Sequence, residues 1–212
     1  QFTLSAQFTP PYSLFSKKDY KSLYESSSRA DREELYRWIE YYKIKFKSRV
    51  YTPLNNSEKY TLVLMGRADF GLLGSYNKYK QTPFETFHVG GDGMTGSYTY
   101  ATETIGLRGY DNGALTPYSD GRAYTRFSME LHFPFLLQPS STIYGLAFVE
   151  GGNAWTSLEN FNPFSLKRSA GVGVRIFLPM IGLMGIDWAY GFDKVQGEKG
   201  GGHFHFILGQ EF

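Results

Sequence analysis

The sequence predicts an all-β protein: a transmembrane antiparallel β-barrel built from eight strands. Three observations carry that prediction. In the last eleven residues, Gly202 to Phe212, the residues Phe204, Phe206, Leu208 and Phe212 share one parity, while His203, His205 and Glu211 share the other. One greasy face and one polar face, closing on a terminal aromatic, suit a strand between lipid and lumen that ends at an aromatic girdle. Second, aromatics reach 18 % and glycine numbers 24, yet mean hydropathy is slightly negative and no long apolar run exists. A membrane helix is thereby excluded, whereas a barrel crosses with every second residue polar. Third, connections between the alternating segments run long, short, long, short, long, short, long. Outer-membrane barrels have short periplasmic turns and longer extracellular loops.

The elements follow in chain order. Phe2, Leu4, Ala6 and Phe8 alternate with Thr3, Ser5 and Gln7. Tyr42, Ile44, Phe46, Ser48 and Val50 alternate with Lys43, Lys45, Lys47 and Arg49. A third strand spans about 59–73, with Arg67 and Asp69 on its polar parity. The fourth sets Phe127, Met129 and Leu131 against Arg126, Ser128, Glu130 and His132. The fifth, about 142–155, carries Glu150 on the parity opposite Ala147 and Val149. In the sixth, Val172, Val174 and Ile176 oppose Ser169, Gly171, Gly173 and Arg175. In the seventh, Ile186, Trp188 and Tyr190 oppose Asp187, Ala189 and Gly191. The eighth is the closing strand, 202–212.

The long connections are 10–38, 74–120, 156–164 and 194–201. The short ones run Pro53 to Glu58, Pro134 to Ser141 and Pro179 to Ile181, each with a proline. Counting back from the C-terminus puts Phe212 on the periplasmic side and the loops 10–38 and 74–120 outside. A short helix is expected from about Ala30 to Trp38. Gln1-Phe2-Thr3-Leu4 already has strand character, so the chain is expected to begin inside a larger barrel.

Cysteine is absent, which excludes disulfides and thiolate metal sites. Formal net charge is +2, too small to argue for an anionic partner, and nothing points to nucleic acid. Gly91-Asp92-Gly93-Met94-Thr95-Gly96 matches a dinucleotide fingerprint literally. That fingerprint needs a helix opening at its third glycine, and Ser97-Tyr98-Thr99-Tyr100 offers β-like or coil sequence instead. His203, His205 and Glu211 have no further ligand at a characteristic spacing, so the histidines are expected as polar luminal residues and no metal is expected. His88 with Asp92, Asp111 or Asp120 offers a hydrolytic pair near a rim, but the spacing does not demand one. No catalytic residue and no cofactor are assigned.

The longest connection, 74–120, contains Leu107-Arg108-Gly109-Tyr110. Phe148-Val149-Glu150-Gly151-Gly152 places a carboxylate on an inward parity. An inward carboxylate in a low-dielectric lumen wants a cation, and the planar fork of Arg108 can supply one.

These residues resemble the BamA family of barrel-assembly insertases of Gram-negative outer membranes and its superfamily relatives. That family carries V-R-G-F/Y at the tip of its sixth extracellular loop, here Leu107 to Tyr110 with Leu for Val. It carries F-x-D-x-G on its thirteenth strand, here Phe148 to Gly152 with Glu for Asp. Pro83 to Gly91, Ser169 to Gly173, and Gly209 three residues before the end match further family runs. The likeness covers about 41–212 and, more weakly, 2–8. It implies that the eight strands are strands nine to sixteen of a sixteen-stranded barrel. The N-terminal barrel half and the periplasmic POTRA domains would then be partners outside this sequence. It implies an insertase, not an enzyme, in the outer membrane. Accessory lipoproteins, nascent outer-membrane proteins and the lipid bilayer are its implied partners. Arg108, Gly109 and Tyr110 with Phe148, Glu150 and Gly152 would lock the loop in the lumen. Phe204, Phe206, Leu208, Gly209 and Phe212 would form one lip of a lateral seam. A two-partner secretion transporter of the same superfamily and a barrel hydrolase are the alternatives. Eight strands alone enclose barely enough space for side chains, so the long loop needs a wider arrangement.

Overall fold

The computed structural model describes residues 1–55, 57, 60–93, 102–116, 118, 120–138, 140–180, 182–195 and 200–209. Eight strands form one antiparallel sheet in simple meander order. They are β1 (Phe2–Phe8), β2 (Tyr42–Pro53), β3 (Val63–Gly74), β6 (Ala123–Gln138), β7 (Ser141–Trp155), β8 (Lys167–Leu178), β9 (Gly182–Gly191) and β10 (Gly202–Leu208). Two short strands, β4 (Phe87–Val89) and β5 (Glu103–Ile105), pair parallel inside the longest connection. Among the described residues β1 and β10 each pair on one side only, so the sheet is a partial, open barrel. Strands β2, β3 and β6 to β9 run 10 to 16 residues. That suffices to cross ~30 Å of hydrocarbon when tilted.

The two faces of the sheet invert the pattern of a water-soluble sandwich. Outward positions are apolar and exposed: Leu4, Met129, Val149, Val172, Trp188, Phe204 and Phe206. Inward positions are polar and buried: Lys43, Asp69, Arg126, Ser128, Glu150, Arg175, Asp187 and His205. Val172 is 56 % exposed while Asp187 is 0 % exposed. Only a solvent of hydrocarbon makes that arrangement favourable. Phe46, Phe70 and Phe127 form a ladder on the outer face, with ring centroids 6.3 and 5.3 Å apart.

The connections 9–41, 75–122, 156–166 and 192–201 emerge at one end of the sheet; 54–62, 139–140 and 179–181 turn at the other. The short connection expected from Pro134 is corrected. β6 continues through Pro134 to Gln138, and the register slips there, Pro134 facing Tyr144 and Leu136 facing Ile143. A proline lacks the ladder donor, and a bulge absorbs that loss without ending the strand. The helix expected at about 30–38 is α3 (Arg29–Tyr36), and two shorter helices that were not expected precede it, α1 (Tyr12–Phe15) and α2 (Tyr20–Glu25). Asp19 starts α2 by accepting hydrogen bonds from the amides of Lys21 and Ser22. The third strand begins at Val63 rather than near residue 59.

The long connection does not stay in solvent. Phe87, Val89 and Ile105 from β4 and β5 pack with Leu73 of β3 and Tyr124 of β6 as a buried apolar cluster. Tyr24 against Tyr79, and Lys80 over the Tyr20 ring, join it to the helical connection 9–41. The Gly-rich fingerprint stretch lies partly outside the described residues, from 94 onward.

The outward parity generates a direct test. Val172→Arg in the middle of β8 should cost ~2–4 kcal/mol of barrel stability in lipid. His203→Arg, on the inner face beside Asp111, should cost under half of that. Folding free energies in bilayers measure both, and equal losses would reverse the facing of the sheet.

Candidate functional site: an arginine carried to the inner wall by the long connection

β5 ends at Ile105, and the chain then descends along the inner face. The Leu107 amide donates to the carbonyl of Gly91, which ties the descending segment to the loop's other limb. Leu107 is fully buried, and a Cβ on Gly152 would approach its side chain to 3.0 Å. Gly152 is therefore the recess that seats Leu107. Gly109 has φ +88°, a left-handed conformation that favours glycine. A Cβ there would also come within 2.8 Å of Ser169 Cβ and 3.0 Å of the Gly191 amide nitrogen. The tip is wedged against β8 and β9. Tyr110 closes it, its hydroxyl donating to the Arg168 carbonyl at 2.6 Å.

Arg108 is the centre. Its Nη2 donates to Glu150 Oε1 at 2.6 Å and to Glu130 Oε1, and its Nη1 donates to Asp187 Oδ2 at 3.0 Å. Its own amide donates to Glu150 Oε2 at 2.9 Å. The guanidinium lies 3.5 Å over the Phe148 ring. Each carboxylate keeps a second partner. Arg126 donates to Glu150 at 3.0 Å, as does Ser128 at 3.1 Å. Arg175 grips Asp187 with two bonds, at 2.5 and 2.7 Å. His132 meets Glu130 at 2.9 Å. Three guanidiniums thus balance three carboxylates, a condition for keeping charge in a poorly hydrated interior. The Glu150 and Asp187 side chains are fully buried.

The same contacts report curvature. In a flat sheet β6 and β10 would lie ~19 Å apart, four steps of ~4.8 Å. Yet Arg108 reaches β6, β7 and β9, and the next residue reaches β10 through Gly109 N–H donating to His205 Nε2 at 2.9 Å. The wall curls around the tip.

A second anchor lies on β2. Glu103 of β5 receives Lys45 at 2.9 Å and Lys43 at 3.2 Å, with Lys47 at 3.7 Å. Burial pushes the Glu103 carboxyl up, but the Lys45 hydrogen bond and the three ammonium charges outweigh it and hold the group below its ordinary range. The lysines of the second segment thus have an acceptor 58 residues on.

The structure brings Arg108, Gly109, Tyr110, Phe148, Glu150 and Gly152 together. Phe204, Phe206 and Leu208 stand on the outer face of β10, each 59–67 % exposed. Gly209 follows β10 at φ +88°, its amide on the Leu183 carbonyl at 2.8 Å. Phe212 and Glu211 lie outside the described residues. His203 sits 3.2 Å from Asp111, and His88 lies against Gly113. Among the described residues no group of metal-ligating side chains converges. Sequence reasoning placed Glu130, Asp187, Arg126 and Arg175 on the inward parity but did not gather them onto Arg108. His205 was not assigned to the tip.

A family model described as the Omp85 superfamily domain matches residues 23–212. The chain belongs to the Omp85 superfamily. Its fold is similar to that of BamA from Haemophilus ducreyi lacking POTRA domains 1–3, with a TM-score of 0.57 and 21 % sequence identity. The likeness covers 79 % of this chain and 34 % of that one, so the chain spans about a third of the relative's length. Superfamily and fold together make this Omp85 chain part of an outer-membrane β-barrel.

Arg108→Ala should lower stability by ~3–5 kcal/mol, the typical cost of opening a buried charge network. Arg108→Lys should recover under half, because an ammonium cannot span three carboxylates on three strands. Denaturant unfolding in lipid checks both, and full recovery by lysine would show that charge alone, without the fork, holds the tip.

Proposed function

We propose that this chain is the C-terminal half of a sixteen-stranded barrel, its long strands standing as strands nine to sixteen. In this reading the complete protein folds and inserts other β-barrel proteins into the outer membrane of a Gram-negative bacterium. Residues 10–38 and 74–120 are extracellular loops, the second being the sixth, and the C-terminus is periplasmic. One observation supports the reading most: a loop tip buried on the inner wall, with Arg108 on Glu150 and Gly109 on His205 of the closing strand. Superfamily membership supports it as well.

The mechanism uses backbone chemistry and no covalent step. The first strand of the N-terminal half would face β10 across a weak seam. An open edge presents unpaired N–H and C=O groups that template an incoming strand. Backbone groups then exchange partners without being stranded in hydrocarbon, where each unpaired group costs several kcal/mol. Phe204, Phe206 and Leu208 keep the lip in lipid. The Arg108 network stiffens the wall, so opening is confined to the seam. POTRA domains and accessory lipoproteins would deliver nascent outer-membrane proteins to it.

Two measurements test this. Cysteines at Ser28 and Ser157 should label in intact cells with an impermeant thiol reagent, and one at Asn55 should not; the reverse pattern inverts the topology. A photo-crosslinker at Ile207 in the full-length protein should capture nascent barrel proteins. Capture at Tyr110 or Asp111 without capture at Ile207 would instead describe export through the lumen.

A further inference from the structure

The tip and the closing strand meet at one side-chain contact with a specific proton requirement. Gly109 N–H donates to His205 Nε2 at 2.9 Å, in a buried position. An amide can donate only to a ring nitrogen that carries no proton. His205 in this arrangement is therefore neutral, with its proton on Nδ1. Its neighbours are charged on several sides. Asp187 of β9 lies directly across the strand pair, but both its oxygens are engaged by Arg175 and Arg108. Arg108 on the tip, His203 on β10 and Asp92 on the loop are the other charged or titratable groups around it. The His203 and His205 rings stack with centroids 6.2 Å apart, and His203 is held by Asp111 of the same loop at 3.2 Å.

We propose that His205 is the positioning residue that couples the loop tip to the edge strand, and that its protonation releases β10 from the tip. This deepens the insertase reading and rests on it, since β10 is the lip of the proposed seam. The geometry leaves no intermediate state. A proton on Nε2 turns acceptor into donor, so the Gly109 amide faces a like donor and loses its partner. Gly109 is wedged against Ser169 and Gly191, which restricts how far the tip can shift to follow another acceptor. Ladder bonds to β9 persist over 202–208, so the strand is loosened from the tip and not unfolded. Arg108 keeps its carboxylates throughout. The wall stays braced while the lip gains freedom. The coupling is present where the imidazole is neutral and is lost as falling pH protonates it.

The test uses the full-length protein in lipid. Amide exchange of residues 202–209, corrected for intrinsic rates, should show about fivefold to tenfold less protection at pH 5.5 than at pH 7.5, the equilibrium equivalent of one buried hydrogen bond. Nitrogen NMR of the His205 ring should show a protonated Nδ1 and a bare Nε2 at pH 7.5. His205→Gln keeps an acceptor that does not titrate, so protection should become pH-independent. His205→Phe removes the acceptor and should match the acid state at both values. A flat wild-type profile, or a proton on Nε2 at pH 7.5, overturns the coupling. A substrate-folding assay is read separately. If exchange switches as stated while His205→Gln and His205→Phe insert substrate at the wild-type rate, the coupling stands and the insertase role of this edge falls.

Discussion

The inner face of β6 to β9 is organised by the need to neutralise Arg108. A guanidinium cannot lose its proton in a protein and cannot leave water cheaply. Bringing it to the wall therefore obliges the wall to supply carboxylates. Glu130, Glu150 and Asp187 come from β6, β7 and β9, and Arg126, Arg175 and His132 keep those acids from repelling one another. The sheet can satisfy one arginine from three strands only by curving. Charge balance, loop order and wall curvature are thus a single condition.

Among the described residues, buried polar and charged side chains outnumber buried apolar ones along the strands of the eight-stranded sheet. The greasiest residues face outward, and the sheet interior is a field of paired charges. Buried apolar packing among the described residues forms two clusters: Phe87, Val89 and Ile105 on Leu73 and Tyr124 at the long-loop end, and Leu146, Phe148 and Ala189 on the inner wall of β7 and β9. The long connection is thereby held at both extremities: by apolar packing and the Glu103–lysine cluster at its top, and by the Arg108 network at its tip. A loop of that length would otherwise be mobile. Fixing it ties the loop to the middle strands β3, β6, β7 and β9.

Stiff wall and soft edge are the combination that strand exchange requires. Wall rigidity comes from the ionic contacts of Arg108, Arg126 and Arg175 with Glu130, Glu150 and Asp187. The inner tether of β10 comes from a neutral imidazole. In the proposed reading, two kinds of chemistry thus separate what holds the barrel from what releases its edge.

The strands, their facing and the alternation of connection lengths were legible in the sequence, because a period of two residues is a local property. The pairing of an inward Glu150 with a cation was legible too, since burial of a lone carboxylate is costly wherever it occurs. The rest required the tertiary structure. Pro134 marks a turn by composition, yet cross-strand pairing with β7 carries β6 past it. The β4–β5 pair was hidden because three-residue segments have no readable period. Glu103 was not matched to Lys43, Lys45 and Lys47, nor Glu130 and Asp187 to Arg108, nor His205 to Gly109. Parity says that a side chain points inward, but register and curvature decide which inward side chains meet. Those depend on hydrogen bonds between strands far apart in the chain, and no local pattern encodes them.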